Sequence, residues 1–166
     1  MKIATVIEKI RRLPVVLMAA AVAVGCSSID CPMNSKVTAK YAFYLPSGAP
    51  AKVTDTLYVS TVGRDGKEVI LINRQLNTQD MLLPMSYNAA TDTLLLTVKD
   101  TVTTYRDYIY VTKTNDMHLE SVECGAVFFH QITAVSSTHS FIDTVVVANK
   151  SVNYDSSQEH LRIYLR

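Results

Sequence analysis

The feature that most constrains this chain is a period of two in its hydrophobic residues, repeated in short segments along most of the sequence. Between residues 36 and 43, for example, apolar side chains alternate with lysine and threonine, which is typical of a half-buried strand. After residue 30 no stretch keeps the helical period of 3.6 residues for three turns. Valine and threonine are abundant, and both are β-branched residues that favour strands. The sequence therefore predicts an all-β protein.

Turn signals divide the alternating segments into separate predicted strands. Gly63-Arg64-Asp65-Gly66 predicts the tight turn of a hairpin, and polar clusters at 88–91, 113–116, 136–138 and 153–157 predict further turns. This spacing favours an antiparallel β-sandwich of eight or nine strands with Greek-key, immunoglobulin-like connections, and a barrel is the alternative. The predicted strands cover residues 36–43, 56–62, 68–73, 80–84, 93–99, 105–112, 127–135, 142–148 and 160–165.

The first 25 residues have the pattern of a secretory leader. A basic region with Lys9, Arg11 and Arg12 precedes an apolar run from Leu13 to Val24. That run is shorter than the roughly 20 residues that span a bilayer, but it fits the core of a signal peptide. The alternative is an N-terminal core helix or amphipathic helix.

The end of this run resembles the lipobox of bacterial lipoproteins. Ala23-Val24-Gly25-Cys26 places small residues before a cysteine, with Ala23 where leucine is usual. The resemblance implies that Cys26 is acylated, becomes the first mature residue and anchors the protein in the membrane; two or more acyl chains hold a protein far more firmly than one. The expected organisation is a signal peptide at 1–25, a lipidated tether at 26–35 and one β-sandwich domain at 36–166.

Two cysteines remain once Cys26 carries lipid. Because an exported protein meets an oxidising compartment, Cys31 and Cys124 are predicted to form a disulfide. Closing so long a loop stabilises a protein by about 4–5 kcal/mol in the chain-entropy picture. Two separate buried thiols are the alternative.

Composition argues against several classes of function. Without the leader, 12 basic and 14 acidic residues remain, so no basic patch supports nucleic-acid binding. Five glycines cannot build phosphate loops or dinucleotide fingerprints, and no serine lies in a Gly-x-Ser-x-Gly elbow. We therefore expect no enzyme, no cofactor and no metal site. The histidines, which lack short metal-ligand spacing, are His118, His130, His139 and His160.

A short Asp-Thr-aliphatic triplet occurs four times. Asp favours turns and Thr favours strands, so the triplet is also explained as a marker of strand starts. It resembles, in addition, the acceptor sequence of general protein O-glycosylation in Bacteroidota, where the hydroxyl after Asp carries the glycan. That resemblance implies four candidate acceptors, which are Thr56, Thr93, Thr101 and Thr144.

Tyrosines are the candidates for ligand contact. Tyr105, Tyr108 and Tyr110 lie on one predicted strand, and Tyr108 and Tyr110 share a face by strand alternation. Exposed tyrosines make adaptable contacts with protein or sugar. The alternative is that their rings only cover a sheet edge.

The mature chain as a whole resembles the small lipoproteins of unknown function encoded widely in Bacteroidota. The resemblance rests on Cys26-Ser27-Ser28-Ile29-Asp30-Cys31-Pro32, on Glu123-Cys124-Gly125 and on Thr138-His139 followed by Ile142-Asp143-Thr144. It implies a β-sandwich and an envelope address, but no activity.

The leading expectation is a non-enzymatic outer-membrane lipoprotein whose sandwich binds or scaffolds another envelope component. Only Asp30 follows the lipidated cysteine as an acidic residue, so the periplasmic face and the outer face both stay open. One alternative is a surface-exposed module that binds glycans or a host ligand. Another is an envelope hydrolase, for which a solvent-open polar cleft with His130 or His139 is the distinguishing feature.

Overall fold

A computed structural model of the chain describes residues 37–119, 121 and 124–166. These residues form ten β-strands, and they include no helix long and apolar enough to cross a membrane. The strands are β1 (Thr38–Tyr44), β2 (Thr56–Val62), β3 (Glu68–Gln75), β4 (Asp80–Pro84), β5 (Thr91–Lys99), β6 (Thr104–His118), β7 (Val127–Ser137), β8 (Ile142–Val147), β9 (Ser151–Val152) and β10 (Leu161–Leu165).

The strands form two sheets. One sheet has four strands in the order β4-β1-β10-β8, and the other has six in the order β3-β2-β5-β6-β7-β9. Strand pairs within these sheets are antiparallel, except that β1 and β10 run parallel, with Tyr41 opposite Leu161 and Tyr44 opposite Tyr164. The prediction of an all-β sandwich is confirmed, and the Greek-key, immunoglobulin-like connectivity stays a prediction.

The core lies between the two sheets, because every second side chain of the central strands is apolar and buried. The alternation predicted from the sequence therefore becomes one inward face and one outward face on each strand. Burying one such Leu, Ile or Phe side chain stabilises the fold by about 1.5–3 kcal/mol. The largest fully buried apolar side chains are Tyr41, Phe43, Leu57, Leu83, Leu96, Ile109, Ile132, Ile142, Leu161 and Ile163.

The local signals placed several elements correctly. β2 and β4 begin and end at the predicted residues, and β2 and β3 form the predicted hairpin. In its turn, Gly63 N–H donates to the Lys67 carbonyl at 2.7 Å. Gly66 has φ of +76°, a conformation that glycine adopts without a Cβ clash. This turn explains why the chain reverses at a Gly-rich tetrapeptide.

Other boundaries were wrong. The turn predicted at 113–116 lies inside β6, which continues to His118. Its pairing with β7 shifts register between Thr112 and Lys113, so a bulge bends the strand and the ladder continues. β7 likewise runs to Ser137, through part of another predicted turn. The prediction of eight or nine strands missed β9, which has only the two residues Ser151–Val152, too few to leave an alternating pattern.

Candidate functional site

The outward face of the six-stranded sheet carries two of the predicted tyrosines. Asp107, Ile109 and Val111 of β6 point into the protein, so the alternate residues Tyr108 and Tyr110 point outward. These two side chains are 41% and 38% exposed. Their rings stack with centroids 6.2 Å apart and planes inclined by only 17°. The pair is a stack of two nearly parallel aromatic rings that is partly open to solvent.

Three residues of neighbouring strands lie on the same face as this pair. Tyr108 lies opposite Leu95 of β5, Leu95 lies opposite Ser60 of β2, and Ser60 lies opposite Ile70 of β3. Directly opposed residues of antiparallel strands share a face, and Ile70 is exposed. We call the surface formed by Ile70, Ser60, Leu95, Tyr108 and Tyr110 the tyrosine face.

Tyr105 does not belong to the tyrosine face. It lies opposite Val98, a core residue of β5, and it differs from Tyr108 by an odd number of positions. Tyr105 instead lines a separate cleft of about 360 Å³, together with Lys52, Phe141 and other residues near the ends of β6 and β10. The three tyrosines predicted as ligand contacts therefore divide between two surfaces.

The candidate O-glycosylation acceptors differ in accessibility. Thr101 and Thr144 are exposed, whereas Thr56 and Thr93 are half-buried within strands. Thr101 lies in the turn between β5 and β6, where its hydroxyl donates to the Asp100 carboxylate at 2.8 Å. A hydroxyl must be reached by an enzyme before it is modified, so Thr101 and Thr144 are the better placed of the four. Their modification stays a prediction.

The predicted lipidation and disulfide sites fall largely outside the described residues. Cys26 and Cys31 both precede residue 37, so the acylation and the disulfide stay predictions. Cys124 is buried between β6 and β7. Its backbone N–H donates to Ser121 Oγ at 3.2 Å, and the Ser121 hydroxyl lies 3.3 Å from Cys124 Sγ.

Asp107 binds the loop between β7 and β8. Its buried carboxylate accepts hydrogen bonds from Thr138 Oγ1 at 2.6 Å and from the backbone N–H groups of Ser140, Phe141 and Ile142 at 2.7–2.9 Å. Burial raises the pKa of Asp107, but these four hydrogen bonds outweigh burial and hold the pKa below its usual value. The carboxylate is thus a structural anion that holds the loop.

A buried ion pair that the sequence did not predict lies where β6 meets the β4–β5 loop. The Lys113 side chain is fully buried, and its Nζ lies 3.4 Å from Asp92 Oδ2. It also donates to the carbonyls of Ser86 and Ala89, at 2.6 and 2.8 Å, and to Asn115 Oδ1 at 3.1 Å. Several acceptors around one ammonium offset the cost of removing it from water. This explains how a lysine occupies an inward position of β6.

The Ser86 hydroxyl lies 3.3 Å from Lys113 Nζ, a pairing that in some hydrolases activates the serine. Here the hydroxyl donates to Asp92, and Lys113 Nζ donates to the carbonyls of Ser86 and Ala89 and to Asn115 Oδ1. A nitrogen whose hydrogens are directed at these acceptors does not offer a lone pair to the serine proton, so this pair lacks a general base. The arrangement fits a structural lock between β6 and the β4–β5 loop.

His130 is held by the same cluster. It is 4% exposed, and its Nδ1 lies 2.8 Å from Asn115 Oδ1. Because Asn115 Oδ1 also accepts from Lys113, Nδ1 of His130 must carry the proton in this contact. Burial, and then the charge of Lys113, lower the pKa of His130. The sequence did not predict this fixed tautomer of His130.

The other three histidines have different surroundings. His160 is fully buried; its Nδ1 accepts the Lys40 N–H at 3.0 Å, and its Nε2 donates to the Ser151 carbonyl at 3.2 Å. His118 stacks on the Phe129 ring with centroids 4.5 Å apart, and His139 is exposed. Among residues 37–119, 121 and 124–166, no three His, Cys, Asp or Glu side chains are grouped closely enough to hold a metal ion.

Two clefts flank the Lys113 cluster at one end of the sandwich. The first, of about 400 Å³, lies between the β2–β3 hairpin and the β4–β5 loop and is bordered by Asp92 and Ser86. The second, of about 330 Å³, is lined by His130 and apolar groups. This cleft contains His130, as the envelope-hydrolase alternative requires, but its described lining includes no Ser, Thr or Cys nucleophile. The lining residues are Val37, Met85, Tyr87, Gly125, Ala126, Val127, Phe128 and His130.

Comparison with known proteins found a matching family model. A family model described as a family of unknown function (DUF6452) matches residues 56–165, which is more than half of the chain and runs from the start of β2 to the end of β10. No curated protein and no solved structure matches the chain.

Proposed function

Because the chain belongs to this family of unknown function, we propose its role from the site alone: a non-enzymatic envelope lipoprotein that binds another envelope component through the tyrosine face. The protein is anchored in the outer membrane by lipid on Cys26, with a disulfide between Cys31 and Cys124. The observation that carries the binding role is the group of exposed side chains Ile70, Tyr108 and Tyr110 on the tyrosine face. Exposed apolar patches rimmed by polar residues mark interaction sites more often than chance surfaces do.

The residue types of the tyrosine face support this role. Tyrosine is enriched among residues that carry most of the energy of protein interfaces. Tyr108 and Tyr110 sit at the centre of a rigid sheet, so their rings are already ordered before a partner arrives, which lowers the entropy cost of binding. Polar side chains surround them, including Arg106 of the same strand, as at the rim of a protein interface.

A crosslinking experiment in living cells tests the role. A photoreactive amino acid at Tyr110 is expected to give a discrete adduct, while the same probe at Val146 gives none. Val146 is a matched control, because it is 39% exposed and lies on a strand of the other sheet. A Tyr108→Ala variant should weaken the adduct formed from Tyr110. Equal adducts at both positions, or an adduct indifferent to Tyr108, would contradict the proposal.

The envelope address has its own test. A Cys26→Ala variant should leave the membrane fraction, and full retention of the variant in that fraction would contradict the lipid anchor. Protease treatment of intact cells, scored with a tag after Arg166 and a lysed-cell control, then determines the face. Loss of the tag on intact cells indicates the outer face, and protection until lysis indicates the periplasm.

A second candidate function is glycan binding by the same face. The observation that favours it is the partly exposed stack of nearly parallel rings of Tyr108 and Tyr110, because aromatic faces pack against the apolar faces of sugar rings. Calorimetric titration with purified envelope polysaccharide distinguishes the two candidates. Binding that disappears in the Tyr108→Ala/Tyr110→Ala double variant supports the glycan role, and no heat with wild type excludes that polysaccharide.

A further inference from the structure

The cleft lined by His130 is distinct from the tyrosine face and has its own chemistry. Its described lining consists mostly of apolar residues, exposes polar and apolar surface in similar amounts, and includes the stacked rings of Tyr87 and Phe128, whose centroids are 5.1 Å apart. A volume of about 330 Å³ lies within the range of small-molecule sites, about 300–1,000 Å³. Apolar side chains combined with a few fixed polar groups are the usual composition of such sites.

His130 supplies that polar group, and three contacts fix its orientation. Lys113 Nζ donates to Asn115 Oδ1 at 3.1 Å, and Asn115 Nδ2 donates to the Ala89 carbonyl at 3.1 Å. The amide oxygen of Asn115 can therefore only accept the proton from His130 Nδ1. In the neutral imidazole the lone pair is then on Nε2, and the ring cannot turn without breaking these bonds.

Nε2 of His130 faces open space. In the described part of the chain, the only fully buried side-chain N or O atom without a hydrogen bond is Thr78 Oγ1. Nε2 has no hydrogen bond to a described residue, so it must be reached by solvent although the residue is 4% exposed. The cleft among Met85, Tyr87 and Phe128 is the open space that the ring borders.

We propose that this cleft binds a small neutral molecule with a flat apolar body and one O–H or N–H group that donates to Nε2 of His130. The body packs against Tyr87 and Phe128. The lowered pKa of His130 supports the proposal, because it keeps Nε2 unprotonated and able to accept at neutral pH. The positive charge of the adjacent Lys113 disfavours a cationic ligand, and the aromatic and aliphatic side chains of the lining disfavour an anion.

Phenol and anisole are matched probes for this site. They share the aromatic ring, but anisole carries a methyl ether in place of the hydroxyl and cannot donate. The readout is the ¹⁵N chemical shift of His130 Nε2 in purified, labelled protein at neutral pH. We expect an unprotonated Nε2 in the free protein and a saturable shift toward the protonated position with phenol. Anisole should bind roughly two- to tenfold more weakly, which is the effect of one hydrogen bond.

Two variants complete the test. His130→Phe keeps the ring shape and removes the acceptor, so phenol and anisole should then bind equally. His139→Phe is the matched control on an exposed histidine and should preserve the difference. If His130→Phe does not fold, the wild-type comparison of phenol with anisole decides alone. A protonated Nε2 in the free protein, equal binding of the two probes, or phenol binding that leaves His130 unshifted would each overturn the proposal.

Discussion

Replacing Asp107 by Asn tests a buried carboxylate that accepts four hydrogen bonds. The carboxylate accepts from Thr138 and Ser140 through one oxygen and from Phe141 and Ile142 through the other. Asparagine has nearly the same shape but one acceptor oxygen. Whichever way the amide turns, its NH₂ group disturbs two of the four hydrogen bonds: facing Phe141 and Ile142 it loses both, and facing Thr138 and Ser140 it loses the Ser140 bond and keeps the Thr138 contact only if that hydroxyl accepts instead of donating.

The expected cost follows from those two bonds. A hydrogen bond to a charged acceptor contributes about 1.5–3 kcal/mol, and a buried N–H left without an acceptor costs a similar amount. The contribution of a bond and the cost of the unpaired N–H are two measures of one loss and are not added together. For two disturbed bonds we therefore expect the free energy of unfolding to fall by about 3–5 kcal/mol. That is a large part of the 5–15 kcal/mol typical of a domain. The loop between β7 and β8 should loosen first, because three of the four donors belong to residues 138–141.

Urea denaturation of wild type and Asp107→Asn measures this difference directly, and its pH dependence checks the cause. The folded pKa of Asp107 is depressed below its ordinary value of 3.8. Its contribution to stability is therefore complete well above pH 3.8 and is lost as the pH falls through the folded pKa. The difference between wild type and variant should be constant near neutral pH and should shrink in acid.

Asp143→Asn is the matched control, because this carboxylate lies on the neighbouring strand β8 and is exposed. Its substitution should change the free energy of unfolding by less than about 0.5 kcal/mol. A loss below about 1 kcal/mol for Asp107→Asn, or a loss equal to the control, would refute the reasoning. A difference that persists undiminished in strong acid would show that the charge of Asp107 is not the cause.

Three other expectations concern His160, Lys113 and the predicted disulfide. Burial lowers the pKa of His160, so the unfolded protein takes up the proton at a higher pH than the folded protein does. The free energy of unfolding should therefore fall as the pH drops below 6.5, and it should fall less steeply in His160→Asn. Equal pH slopes for wild type and variant in urea titrations would contradict this. Lys113→Met should cost about 3–5 kcal/mol by leaving Asp92 without its cation, and adding Asp92→Asn should recover part in the same denaturation assay. Cys31→Ser or Cys124→Ser should lower the melting temperature under oxidising conditions only, and unchanged melting there would exclude the predicted disulfide.

Local sequence signals predicted the strands where short-range rules decide the structure. β2 and its hairpin turn follow from alternation and from Gly66, since both signals act within a few residues. The same alternation rule places Tyr108 and Tyr110 on one face. It also separates Tyr105 from them, because residues an odd number of positions apart in a strand point to opposite sides.

Long-range contacts decided what the sequence could not predict. Four polar residues at 113–116 have the composition of a turn, but a strand continues there because Asp92 and two carbonyls of the β4–β5 loop accept from Lys113. Those partners lie more than 20 positions away. The cleft at His130 was missed for the same reason, since Asn115 and Lys113 fix its tautomer from a different strand. Binary polar and apolar patterns carry no information on such pairings.

The parallel pairing of β1 with β10 has a mechanical consequence. Adjacent parallel strands that are pulled in opposite directions along their axes slide past each other, so the hydrogen bonds joining them bear the load together in shear. Antiparallel neighbours pulled from the same end instead unzip one bond at a time. A pull on the chain before Thr38, opposed by a hold on the chain after Leu165, loads the register from Tyr41 to Tyr44 in the first manner. Tension applied between these two ends of the described domain is then resisted by this ladder as a unit.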